Sequence, residues 1–150
     1  MAGTYTKLYY HIVFSTKNRQ PFINSAIEDE LHKYICGIIR NIGGSCIEIN
    51  GAADHVHILA IIPPKVSLSE ALRTIKANSS KWIHETHPNL AAFAWQDGYS
   101  AFTVSASQVD GVRQYIRDQK NHHRERDYKA ELLALLQKRG VEYDERYIWD

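Results

Sequence analysis

Features that announce several common protein classes are scarce here. There are only two cysteines in 150 residues, Cys36 and Cys46, and their spacing matches no metal motif. Each lies in an apolar run, which predicts buried, reduced thiols in a cytoplasmic protein. No secretory signal opens the chain, and no apolar run approaches bilayer-spanning length, so a membrane protein is not expected. Net charge is only +1, so whole-chain charge argues neither for nor against a nucleic-acid partner. Internal repeats and low-complexity segments are also missing. What remains is an ordinary globular composition, 44% apolar and 23% charged, in a length that one domain spanning residues 1–150 can fill with its own core.

The chain is organised around Asp54-His55-Val56-His57-Ile58-Leu59-Ala60-Ile61-Ile62, which stops at Pro63-Pro64. Its β-branched, apolar content predicts a strand. Side chains alternate along a strand, so His55 and His57 share one face, continued by Leu59 and Ile61. Val56, Ile58, Ala60 and Ile62 take the other. A strand apolar on both faces belongs in the middle of a sheet. Two imidazoles aimed side by side from a rigid element have the geometry of a metal site with open positions. Two histidines hydrogen-bonded to neighbours at a strand end fit the same pattern.

Around this strand the periodicities alternate. Thr4 to Thr16 predicts a first strand. Asn24 or Ser25 caps a helix with an apolar face of Ile27, Leu31, Tyr34, Ile35, Ile38 and Ile39, stopped by Gly43-Gly44. Ser45 to Asn50 predicts a second strand, joined to the histidine strand by an Asn50-Gly51 turn. Ser67-Leu68-Ser69-Glu70 is a capping box opening a helix through Ala71, Leu72, Ile75 and Trp82, ended at His87-Pro88. Tyr99 to Ser105 predicts a fourth strand, and Ser107 with Asp110 caps a third helix. This order predicts an α+β, ferredoxin-like split βαβ sandwich: an antiparallel sheet with helices on one face, plus C-terminal helices.

The third helix carries Tyr115 and Gln119, four residues apart and so on one face, with His122 and His123 one turn beyond. Two imidazole nitrogens and an amide oxygen make an incomplete shell that leaves room for phosphate oxygens. Such a set suits Mg²⁺ or Mn²⁺ acting as a Lewis acid better than a closed zinc site. From Arg113 to Arg139 basic residues outnumber acidic ones; Lys120, His122, His123 and Arg124 are the candidate phosphate contacts, with a solvated basic surface as the plainer reading. The zinc deaminases require His-x-Glu together with Pro-Cys-x-x-Cys, and that combination does not occur. A non-catalytic ferredoxin-like module that binds nucleic acid remains open, although no paired-aromatic signature of such modules is found.

Four stretches, Tyr10 to Arg19 (YHIVFSTKNR), Asp54 to His57 (DHVH), Trp95 to Ser105 (WQDGYSAFTVS) and Tyr115 to His123 (YIRDQKNHH), occur in this order. On them the chain resembles the single-tyrosine His-hydrophobic-His (HUH), IS200-like transposases, which mobilise insertion sequences of bacteria and archaea as single-stranded DNA. The resemblance covers nearly the whole chain. It implies a homodimer whose active site is shared between subunits, and a divalent metal held by His55, His57 and Gln119. Tyr115 would be the nucleophile, acting on single-stranded DNA with hairpin ends. A host-adopted, repeat-associated relative would share this chemistry. Residue chemistry agrees: a phenol of pKa about 10 needs activation at neutral pH, and a phosphotyrosine conserves the phosphodiester energy for rejoining. Tyr115→Phe and His57→Ala are expected to abolish cleavage with the fold nearly intact.

Overall fold

The computed structural model describes residues 3–121 and 127–150. Four strands form one sheet: β1 (Tyr9–Ser15), β2 (Ser45–Ala52), β3 (His55–Ile61) and β4 (Ser100–Val104). Their order is β2-β3-β1-β4, and every neighbouring pair is antiparallel. Two helices, α1 (Glu28–Asn41) and α2 (Leu68–Thr86), complete the split βαβ. Among the described residues, α3 (Val109–Arg117) and α4 (Tyr128–Lys138) follow the sheet. The α+β, ferredoxin-like expectation holds.

The β3 alternation divides the interior as its sequence predicts. Val56, Ile58, Ala60 and Ile62 join Ile12 and Phe14 against the apolar stripes of α1 and α2. On the opposite face Leu59 packs with Val104, Val112 and Ile116 under α3, while Val13 and Phe102 pack under Leu132, Leu135 and Leu136 of α4. Helices α1 and α2 thus cover one face and the C-terminal helices the other. No helix among the described residues is long and apolar enough to cross a membrane.

Several boundaries differ from expectation for local reasons. β1 starts at Tyr9, because pairing to Ile61 on one side and Val104 on the other begins there. Asn24 caps a turn, its side chain accepting from Ala26 N at 2.9 Å, and α1 starts only at Glu28. Gly43, at φ +91°, ends α1 as expected. The hairpin turn falls at Ala53-Asp54, with Asn50-Gly51 inside β2. Gly51 is needed there for closeness: an added Cβ would lie 2.2 Å from the His55 carbonyl oxygen. The Ser67 cap forms, accepting from Glu70 N at 3.2 Å, whereas α3 enters through a 3₁₀ turn at Ala106–Gln108 with no side-chain cap. Cys36 and Cys46 are joined as a disulfide between α1 and β2, so the expectation of two reduced thiols is corrected: pairing of β2 with β3 beside α1 brings their Cα atoms to 5.3 Å.

The Trp95-Gln96 motif serves the architecture. Trp95 packs edge-on against Phe14 and Phe93, at 4.8 and 4.9 Å between ring centroids, and donates from Nε1 to Ser79 Oγ. Gln96 Oε1 accepts from Ser15 N at 2.8 Å, extending the end of β1 beyond its own ladder.

Candidate metal and tyrosine site

β3 presents His55 and His57 to the α3–α4 face, both fully buried, with ring centroids 5.1 Å apart. Each ring is oriented from behind. Asp54 Oδ1 lies 2.7 Å from His55 Nδ1, and His11 Nε2 lies 2.9 Å from His57 Nδ1. His11 reaches His57 because β1 pairs with β3 in the register His11↔Leu59 and Val13↔His57, which makes the two histidines diagonal neighbours on one face. The Nε2 atoms of His55 and His57 therefore turn to a common point.

Three side chains from the other end of the chain, Tyr115, Gln119 and Glu131, close on that point. Glu131 of α4, fully buried, places Oε1 at 3.0 Å from His57 Nε2 and 3.4 Å from His55 Nε2. Its Oε2 accepts from Gln119 Nε2 at 2.9 Å and from the Tyr115 hydroxyl. Gln119 Oε1 lies 3.2 Å from His55 Nε2. One ligand atom from each of His55, His57 and Glu131 falls within a 4.8 Å set.

Protonation states follow from burial and partners. Desolvation, reinforced by neighbouring His57, lowers His11 to about 3, so it is neutral. Burial also works against a charged His55, but the hydrogen bonds it donates to the Asp54 and Glu131 carboxylates outweigh it and hold His55 above the ordinary histidine value. Tyr128, tilted against the His55 ring at 4.7 Å, is pushed far above the usual phenol range, by burial first and then by Glu131 and Asp54. Its hydroxyl stays protonated.

This donor set fits a divalent cation. A carboxylate at Asp54 can only accept, so it keeps the proton of a neutral His55 on Nδ1 and turns the Nε2 lone pair inward. A neutral His11 can accept from His57 Nδ1–H, which does the same for His57. Two nitrogens, the Glu131 carboxylate and the Gln119 amide oxygen then face one point, a mixed set suited to Mn²⁺ or Mg²⁺.

The sequence-predicted Tyr115, His55, His57 and Gln119 are thus brought together within one chain. Lys120 lies apart from the point, its Nζ bound to Glu28 Oε1 at 2.5 Å and the Gly51 carbonyl at 2.7 Å. The other basic candidates, His122, His123 and Arg124, fall outside the described residues. Sequence reasoning missed Asp54, His11 and Glu131. The first two had a signal, since Asp54 precedes His55 and His11 sits in a β1 motif on the histidine-facing alternation. Glu131 had none: it is the one acidic residue of α4, and no spacing in the chain places it at the histidines.

This is the fold of transposases. A candidate transposase from Deinococcus radiodurans R1 matches with a TM-score of 0.66 at 24% identity, covering 79% of this chain and 95% of that one. A REP-associated tyrosine transposase solved with a REP hairpin matches with a TM-score of 0.61 at 17% identity, covering 82% and 73%. The family follows from sequence: the family model described as transposase, IS200-like, matches residues 4–119, and the chain belongs to that family. The transposase of insertion sequence IS200 from Salmonella typhimurium is 29% identical over 144 residues, 90% of this chain and 89% of that protein. The ISDra2 transposase TnpA of Deinococcus radiodurans is 24% identical over 122 residues, 78% and 87%. Membership implies DNA strand cleavage and transfer.

Proposed function

We propose that this protein cleaves and rejoins single-stranded DNA at the ends of an insertion sequence, with Tyr115 as nucleophile, His55, His57, Gln119 and Glu131 as metal ligands, and Mg²⁺ or Mn²⁺ as cofactor. The observation that carries the reading is the Glu131 carboxylate, which touches the Tyr115 hydroxyl with one oxygen and His57 Nε2 with the other. When bound, the ion supplies Lewis-acid polarisation of the scissile phosphate. Glu131 Oε2 accepts the phenolic proton, and Tyr115 Oη bonds to phosphorus as the bond from phosphorus to the 3′ oxygen breaks. The departing oxygen takes up a proton and leaves as a 3′-OH. One phosphodiester has become a 5′-phosphotyrosine, so a second 3′-OH can attack it, restore the tyrosine and join new ends. His11 and Asp54 hold the two histidine ligands in orientation throughout.

The hairpin-bound fold neighbour supports a substrate whose unpaired strand flanks a hairpin. The family resemblance supports a homodimer. A repeat-associated, host-adopted role uses the same chemistry and differs only in which DNA is cut. The test is incubation of single-stranded DNA from the flanks of the gene with protein and Mn²⁺, followed by denaturing electrophoresis. Wild type should form a covalent protein–DNA adduct and a product with a new 3′-OH, and Tyr115→Phe should form neither while still binding DNA. Cleavage persisting in Tyr115→Phe, or efficient cutting of fully duplex DNA, refutes the reading.

A further inference from the structure

Tyr115 sits on a helix of nine residues, too short to hold its place by backbone hydrogen bonds alone. Its apolar anchorage is Val112 and Ile116 against Leu59 and Val104, with Val109, Tyr9 and Ile47 packed beside them. Besides the Tyr115 bond to Glu131, its polar attachment comes from β2. Glu48 Oε1 accepts from Arg113 Nε at 3.1 Å and from Arg117 Nε at 2.9 Å. Asn50 Nδ2 donates to the Arg117 carbonyl at 3.0 Å, satisfying an acceptor that the helix end leaves open. Arg113 and Arg117 are one turn apart and stand two positions before and after Tyr115, on the flank of the helix away from it. One carboxylate gripping both fixes the roll of α3 about its own axis.

We infer that Glu48 is a positioning residue for the tyrosine, gripping α3 through Arg113 and Arg117 so that the Tyr115 hydroxyl stays at the histidine pair. The inference rests on the proposed strand-cleavage function. Leverage makes the grip consequential. The phenolic oxygen swings at about 9 Å from the helix axis, so a roll of about 10° displaces it by roughly 1.5 Å. Misplacement of a reacting group by about 1 Å can cost on the order of a hundredfold in rate. The arginines are about half exposed, whereas the Glu48 side chain is 20% exposed, so the pairs are partly screened and the expected loss is smaller.

The test compares wild type, Glu48→Gln and the charge swap Glu48→Arg with Arg113→Glu and Arg117→Glu. Three quantities are read: single-turnover cleavage at saturating single-stranded DNA, DNA affinity, and amide hydrogen exchange of residues 109–117. Glu48→Gln should cleave about tenfold more slowly, with DNA affinity and unfolding midpoint near wild type and faster exchange confined to α3. The swap should recover most of the rate, which a generally weakened fold would not allow. Unchanged α3 exchange in Glu48→Gln overturns the clamp. So does an unchanged cleavage rate, with or without the tighter DNA binding expected if the carboxylate merely masks two phosphate-binding arginines. Wild-type protein that leaves single-stranded DNA uncut overturns the function proposed above; the exchange measurement judges the clamp separately.

Discussion

Replacing Glu131 with glutamine keeps the side chain's shape and removes its charge, and the structure sets what should follow. The carboxylate lies 3.0 Å from His57 Nε2 and 2.9 Å from Gln119 Nε2 and also accepts from the Tyr115 hydroxyl. A hydrogen bond to a charged group is worth about 1.5–3 kcal/mol and a neutral one about 0.5–1.5, so three weakened bonds forfeit about 3 kcal/mol. Relief from burying a charge in a fully buried position returns part of that. The metal-free variant should therefore be less stable by about 1–2 kcal/mol, read from urea unfolding in chelator at pH 7. The larger contrast comes on adding Mn²⁺. An ion at a hundred times its Kd stabilises the wild type by about 2.7 kcal/mol, a rise in Tm of roughly 5–10 °C for a chain of this size. In Glu131→Gln that rise should shrink to a few degrees, and single-turnover adduct formation should fall at least a hundredfold. An undiminished Mn²⁺ increment would remove Glu131 from the metal site. Adduct formation at the wild-type rate would remove it from the path of the tyrosine proton.

His57→Ala, expected from sequence to leave the fold nearly intact, should instead cost about 3 kcal/mol in chemical unfolding. The ring is fully buried and bonded at both nitrogens, so removal opens a cavity and strands His11 and Glu131; a loss under 1 kcal/mol would contradict the burial. His11, at about 3 in the folded chain against 6.5 unfolded, stays neutral on folding. It contributes stability that is present above pH 6.5 and is lost as pH falls from 6.5 through 3, by at most about 1.4 kcal/mol per pH unit. His55, held above its ordinary value, contributes with opposite sign, so the comparison is wild type minus His11→Asn: the variant's curve should be flatter on the acid side, and parallel curves would refute the assignment. Gly51→Ala should destabilise by about 3 kcal/mol, because its Cβ would press on the His55 carbonyl and the Val56 Cα; a neutral result by thermal unfolding would mean that β2 can part from β3 cheaply.

The reach of the sequence can be judged residue by residue. The histidine strand was legible because alternation is local: its period of two fixes that His55 and His57 share a face whatever the sheet does. The amphipathic stripe of α1 and the Ser67 cap of α2 follow from local spacing in the same way, whereas Gln119 lies beyond the end of α3 at Arg117 and meets Tyr115 through the Glu131 carboxylate. Bounds were less legible. Where β1 starts and where the β2–β3 turn falls depend on which partners a strand finds, and a partner lies elsewhere in the chain.

The rest of the site was decided only by tertiary structure. His11 meets His57 through the β1–β3 register, a relation between residues 46 apart. Glu131 meets the Tyr115 hydroxyl because α4 lies over the face of the sheet that α1 and α2 leave uncovered, as Val13 and Phe102 pack under its leucines. Glu48 looks in sequence like a solvated charge on a strand, and it acquires two arginines only when α3 docks beside β2. By itself the sequence determined the pair whose facing is fixed by spacing along one element, His55 and His57, and singled out Tyr115 and Gln119 through the motif that carries them. Docking between elements separated by many residues determined what orients them, because long-range packing leaves no period in the chain to read.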